Sequence, residues 1–203
     1  MNQKSELQIF AILDTCVLLP ARLSDVLFDL MIEGLYSAHW TADIEAEFLR
    51  NWNAVHPHSS SGVAQRRLNA FRSATNHAHE IWGYQAEEFT TLVPKRVAQS
   101  DKHLVAAALV LVKACQETPN TRVVIVSNNL KDLAPAATKK LGIDVISAGA
   151  FVDQLYAESP GRVTSTALVS ITHLKKPPYT PAQFAAALRL HGVKHLAQAI
   201  ESR

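Results

Sequence analysis

Two uninterrupted apolar runs, Ile9-Phe10-Ala11-Ile12-Leu13 and Val123-Val124-Ile125-Val126, limit the folds open to this chain more than any other feature. Neither alternates with polar residues, so a strand built from either is buried on both faces, as in a parallel sheet covered by helices. The first run stops at Asp14, the second at Ser127-Asn128-Asn129 with Asp132 just beyond. Phe89–Val93, closed by Pro94, and Ile143–Ile146 read as further strands.

Helical patterns alternate with these runs. After Pro20, Leu23, Val26, Leu27, Leu30 and Met31 recur at helical spacing up to Gly34, a C-terminal stop. Thr41 can cap a helix whose buried stripe is Ile44, Phe48 and Trp52. A long helix is predicted from Val63 to Trp82. Ser100 reads as the cap of an apolar helix, Asp101–Cys115, and shorter helices are expected at Pro135–Leu141 and Ala148–Tyr156. This alternation predicts an α/β domain with a mostly parallel central sheet over residues 1–158. Ser159-Pro160-Gly161 breaks the pattern, and 159–203 reads as an all-helical C-terminal extension. Within it, Thr180-Pro181-Ala182-Gln183 is a helix start with a capping box.

With 203 residues, 48% apolar and 19% charged, the chain can bury a sizeable core, which excludes wholesale disorder. A net charge of +2 excludes a histone-like polycation, so any nucleic acid must be held by a local patch. Cys16 and Cys115 are too few for a disulfide framework and read as buried free thiols in a reducing cytosol. The first eight residues lack the apolar core of a signal peptide, and no apolar stretch approaches the roughly 20 residues of a membrane span. A cytoplasmic protein without membrane partners is expected.

In an open α/β sheet, ligands collect beyond the carboxyl ends of the strands. Asp14 follows the first strand; Ser127, Asn129 and Asp132 follow the strongest; Asp101 opens the apolar helix. Glu47 borders the stripe of Ile44 and Phe48, with Asn51 one turn beyond, whereas Asp43 and Glu45 read as solvent-facing. Oxygen donors without a Cys or His cluster suit Mg²⁺ or Mn²⁺, and the histidines show no zinc-protease spacing. Clustered acids repel unless a cation neutralises them, and acids around a divalent ion suit phosphodiester hydrolysis. Arg50, Lys102, His103 and Lys131 flank the acids, and Arg66, Arg67 and Arg72 would give the middle helix a basic face for phosphates. Trp40 and Trp52 read as packing residues. Each residue taken singly also has an ordinary structural role, and only their joint placement points to a shared site.

Leu13-Asp14-Thr15-Cys16-Val17-Leu18, the Asp43–Asn51 segment with Glu47, Ser100-Asp101-Lys102-His103, and Ser127-Asn128-Asn129-Leu130-Lys131-Asp132-Leu133 together resemble PIN-domain ribonucleases over residues 7–157. The resemblance extends to VapC-like toxins with a helical C-terminal extension, through Pro177-Pro178-Tyr179-Thr180. It implies a three-layer α/β/α fold and an Mg²⁺- or Mn²⁺-dependent endoribonuclease. Its core acids would be Asp14, Glu47 and Asp101, completed by Asp132 and Asn129. Ser127 would orient an acid or a water, with Thr15 and Asn51 in support. The implied partners are substrate RNA and a cognate antitoxin protein. Cys16 stands where many members have Asn and reads as a packing residue; Leu133 replaces a common Phe.

Two other classes remain open at this point. A haloacid-dehalogenase-type phosphatase also starts from a strand ending in Asp, but it needs a second Asp where this chain has Cys16. A non-catalytic PIN-like scaffold binding RNA or protein would keep the fold without the reaction. The helical extension could cover a sheet edge, complete a homodimer or shape an RNA groove.

Overall fold

Both apolar runs become adjacent central strands. The computed structural model describes residues 7–174 and 178–202, so Pro177 and the first six residues lie outside the described part. Four strands, β1 (Gln8–Leu13), β2 (Ser37–His39), β3 (Thr121–Val126) and β4 (Ile143–Ile146), form one all-parallel sheet in the order β2-β1-β3-β4. Eleven α-helices follow in chain order among the described residues: α1 (Thr15–Leu18), α2 (Ala21–Ile32), α3 (Ala42–Val55), α4 (Val63–Ala74), α5 (Glu87–Thr90), α6 (Lys102–Ala114), α7 (Pro135–Thr138), α8 (Ala148–Glu158), α9 (Pro160–His173), α10 (Pro181–Arg189) and α11 (His195–Glu201). The arrangement is α/β and compatible with three layers. No helix among the described residues is long and apolar enough to cross a membrane.

Topology places the site. After β1 the chain moves outward to β2, and after β3 it moves the other way to β4. The two connections diverge and leave a crevice at the carboxyl ends of the central pair. Register sharpens this: Leu13 pairs with Val126, so Asp14 and Ser127 leave the sheet side by side. The Asp14 N–H still donates to Val126 O at 3.1 Å, and the Ser127 N–H to Ile146 O at 3.0 Å. Behind them Ile12, Leu13, Val124, Ile125 and Val126 are wholly buried.

Several expectations need correction. Phe89–Val93 is not a strand. Thr90, Thr91 and Leu92 donate their N–H groups to Ala86, Glu87 and Phe89, so the backbone bonds close locally and leave none for a ladder. Burial of Phe89 and Val93, four residues apart, explains the apolar pattern equally well. An edge strand the sequence did not announce is β2, only three residues long. The helix expected to reach Trp82 stops at Ala74, because Asn76 and His77 adopt left-handed backbone (φ 50° and 61°) and turn the chain back towards Trp40. Ser100 does not cap α6; it sits in a 3₁₀ turn, Gln99–Asp101, and its hydroxyl donates to Asp101 Oδ1 at 2.8 Å. The expected Pro135–Leu141 helix divides into α7 and a 3₁₀ turn over Lys139–Leu141.

Glu45 does not face solvent. Its carboxylate accepts from Trp40 Nε1 at 3.0 Å and pairs with Arg72, while His79 stacks on Trp40 with ring centroids 4.1 Å apart. Burial alone would raise the Glu45 carboxyl, but the hydrogen bonds from Arg72 and Trp40 carry it below its ordinary value. Trp40 and Trp52 pack in the core as expected, and Thr41 caps α3 through the Ile44 N–H. Both cysteines are free but only half-buried.

After Ser159 the described residues form α9, α10 and α11, joined by short non-helical segments, and α9 lies against α2 and α8. Thr180 and Gln183 form the expected capping box. Asp153 of α8 accepts from the N–H groups of Lys194, His195 and Leu196 at the start of α11, at 2.8–3.2 Å.

Candidate active site

Asp14 is held through one oxygen. The Ser127 hydroxyl donates to Oδ2 at 2.6 Å and the Cys16 thiol donates to the same atom at 3.1 Å. Oδ1 has no hydrogen-bond partner among the described residues. Cys16 is therefore more than a packing residue: Sγ also accepts from the Asn128 N–H at 3.2 Å. Burial, reinforced by the neighbouring Asp14 charge, pushes the thiol from 9.0 up to about 12, against the hydrogen bonds from Ser127 and Asn128. It is a neutral donor at physiological pH.

The loop after β3 brings in the other acids. Ser127 Oγ accepts from the Asn129 N–H at 3.0 Å, which turns the Asn129 side chain over the crevice. Its Nδ2 donates to Asp132 Oδ2 at 2.7 Å and lies 3.4 Å from Asp101 Oδ2. Asn129 thus presents its amide nitrogen to both acids as a donor. A backbone bond from the Ala98 N–H to Asp132 O, 2.8 Å, ties the segment before α6 to this loop. Burial raises the Asp101 carboxyl; the Ser100 hydrogen bond works against this, and the charges of Asp14 and Asp132 add to it. That mutual repulsion is the electrostatic mark of acids sharing one site. Asn128 has a separate role, accepting from the Ala148 N–H at the start of α8 (3.2 Å).

Glu47 joins from α3. The Thr15 hydroxyl, next in sequence to Asp14, donates to its Oε2 at 2.9 Å, and Arg50 approaches Oε1 at 3.6 Å. Asn51 is exposed and makes no side-chain hydrogen bond to a described residue. A cavity of about 590 Å³ opens beside Glu47, walled by Asp43, Arg50, Tyr84, Lys102 and His103. Sequence reasoning missed Tyr84 and Gln85 there, because they lie in a loop without periodicity.

The basic residues divide. Arg50, Lys102 and His103 line that cavity, and Lys131 is exposed beside Asp132. Arg66 and Arg67 line a different cavity, between α2, α4 and α9. Arg67 donates to Asp25 and Ser24, both at 2.7 Å, and Arg72 pairs with Glu45. The expected basic face of α4 is therefore largely neutralised by carboxylates of α2 and α3.

Asp14, Asp101, Asp132, Ser127 and Asn129 thus form one network, with Glu47 attached through Thr15. Among the described residues, no group of three or more His, Cys, Asp or Glu side chains is placed to hold a metal ion. The donor set is all oxygen, which suits a hard cation. Mg²⁺ keeps several waters and takes only one or two carboxylates directly, so a closed cage is not required. No protein-family model, curated protein or solved structure matches this chain.

Proposed function

We propose that this chain is a divalent-metal-dependent endoribonuclease of PIN-like architecture, acting as the toxin of a toxin–antitoxin pair in the cytoplasm. One observation carries the reading. The two central parallel strands end side by side where their connections diverge, and there a hydrogen-bond network joins Asp14 to Asp101 and Asp132.

Asp14, Asp101, Asp132 and Glu47 are the residues that would hold Mg²⁺ or Mn²⁺. Such an ion, when bound, would supply Lewis acidity and a nucleophilic water at neutral pH. The protein groups do the positioning. Ser127 and Cys16 fix Asp14 through Oδ2, and Thr15 fixes Glu47. Asn129 spreads negative charge by donating to Asp132 and lying against Asp101. Arg50 and Lys102 grip phosphates flanking the scissile bond, with Lys131 on the rim; these contacts position the strand without reading sequence. A partner arginine is well shaped to pair with such a carboxylate cluster, which is how an antitoxin would silence it.

A non-catalytic RNA- or protein-binding scaffold has one observation in its favour: the acids are bridged by Asn129 and not arranged as a cage. Incubation of a mixed RNA pool with Mg²⁺ or Mn²⁺ separates the two. Cleavage by the wild type and its loss in Asp14→Asn support the enzyme; equal behaviour of the two proteins supports the scaffold. Expression without a neighbouring partner frame tests toxicity, with growth arrest as the expected result.

A further inference from the structure

We infer that the cavity beside Glu47 receives one unpaired nucleotide of the RNA, with its base edge against Asp43 and its phosphate at Arg50 and Lys102, and that it favours guanine. The inference rests on the nuclease reading and adds a base preference to it.

Asp43, Glu47 and Arg50 lie on one stripe of α3 and form one wall of the cavity. Seven residues separate its ends, roughly 10 Å along the helix axis, about the reach of a nucleotide from base edge to phosphate. The volume of about 590 Å³ lies within the range of small-ligand sites. The cationic end is available. Arg50 is exposed and approaches Glu47 only at 3.6 Å, and Lys102 has no ion-pair partner among the described residues.

The opposite end is built differently. The Tyr84 hydroxyl donates to Asp43 Oδ2 at 2.8 Å and fixes the carboxylate, while Oδ1 has no described partner. Gln85 Nε2 lies 3.3 Å from the Tyr84 oxygen, which leaves the Gln85 carbonyl without a described partner. His103 also lines the cavity. A fixed carboxylate beside a free amide carbonyl is an acceptor-rich surface. Guanine alone presents two adjacent N–H donors, N1–H and the 2-amino group, on one edge; uracil presents a single N–H between two carbonyls that a carboxylate repels. Bases splayed from a single strand are read on such edges.

Calorimetric titration of the full chain with GMP, AMP, CMP and UMP, without added divalent ion, tests this. GMP is expected to bind about tenfold tighter than UMP or more, the scale of one bidentate base contact. Asp43→Asn keeps an oxygen for the Tyr84 hydroxyl and should reduce that preference to near unity. Arg50→Ala, at an exposed position, should weaken all four nucleotides by a similar factor. Equal affinities, no binding by any of the four, or a guanine preference that survives Asp43→Asn would overturn the inference. GMP binding without RNA cleavage would remove the nuclease and keep the pocket; cleavage without mononucleotide binding would do the reverse.

Discussion

Replacing Gly149 by Ala should loosen the C-terminal helices from α8. A Cβ at Gly149 would lie 2.3 Å from the carbonyl carbon of Gly192, 2.5 Å from its oxygen and 2.6 Å from His191 O. All three are backbone atoms, so no side-chain rotation relieves the clash, and the segments must part by roughly 1 Å to reach ordinary contact. Forcing an extra methyl into such packing costs about 1–3 kcal/mol. The displaced segment leads into α11, whose first N–H groups are capped by Asp153, and weakening that cap adds about 1 kcal/mol. The total of about 2–4 kcal/mol corresponds to a fall of about 1 M in urea midpoint for a chain of this size. Gly161→Ala is the control. No atom lies within 4 Å of its added Cβ, and it sits in the first turn of α9, so it should be neutral or stabilise by up to about 1 kcal/mol. Equilibrium urea unfolding followed by circular dichroism reads both. A Gly149→Ala midpoint equal to that of the wild type would refute the packing argument.

Three further outcomes follow from the site. Burial and the charges of Asp14 and Asp132 raise the Asp101 carboxyl despite the Ser100 hydrogen bond; a raised folded-state value means ionisation destabilises the fold as pH rises through it. Asp101→Asn should therefore melt higher than the wild type at pH 7, with the gap closing below the ordinary carboxylate range, while losing cleavage; a lower melting temperature at pH 7 would contradict this. Ser127→Ala removes a hydrogen bond to a carboxylate, worth about 1.5–3 kcal/mol, so RNA cleavage should drop about tenfold to a hundredfold with the fold intact by circular dichroism. Cys16, with its thiol pushed up to about 12, should resist iodoacetamide at pH 8 until the protein is denatured, whereas Cys115 reacts first; peptide mass spectrometry distinguishes them.

The sheet's centre was legible because β1 and β3 are apolar throughout and end at polar residues. Asp14 and Ser127 could be found for the same reason, and parallel register then makes them neighbours. Glu47 was legible from its place beside the Ile44–Phe48 stripe. What stayed hidden depends on contacts distant in sequence. β2 has three residues and owes its strand geometry to β1. Phe89 and Val93 fit a helical turn as well as a strand, since a short apolar run carries no period. Arg67 looks like any surface arginine until α2 places Asp25 against it. Cys16 reads as packing until the loop after β3 delivers Ser127 and Asn128 to its sulfur.

The positioning network also separates stability from function. Burial and neighbouring charge raise the Asp101 carboxyl, and Glu45, on the same helix as Glu47 but pointing elsewhere, is tied to Arg72 and the Trp40–His79 stack. Within one helix, Glu45 is tied into the packed interior and Glu47 lines the cavity. Only the three-dimensional partners of each acid distinguish the two roles.

The most direct measurement is RNA cleavage by purified wild type and Asp14→Asn, with and without Mg²⁺ or Mn²⁺. The account predicts cleavage that requires the ion and falls about a hundredfold or more in the variant. Metal-independent cleavage, or equal cleavage by both proteins, would contradict it.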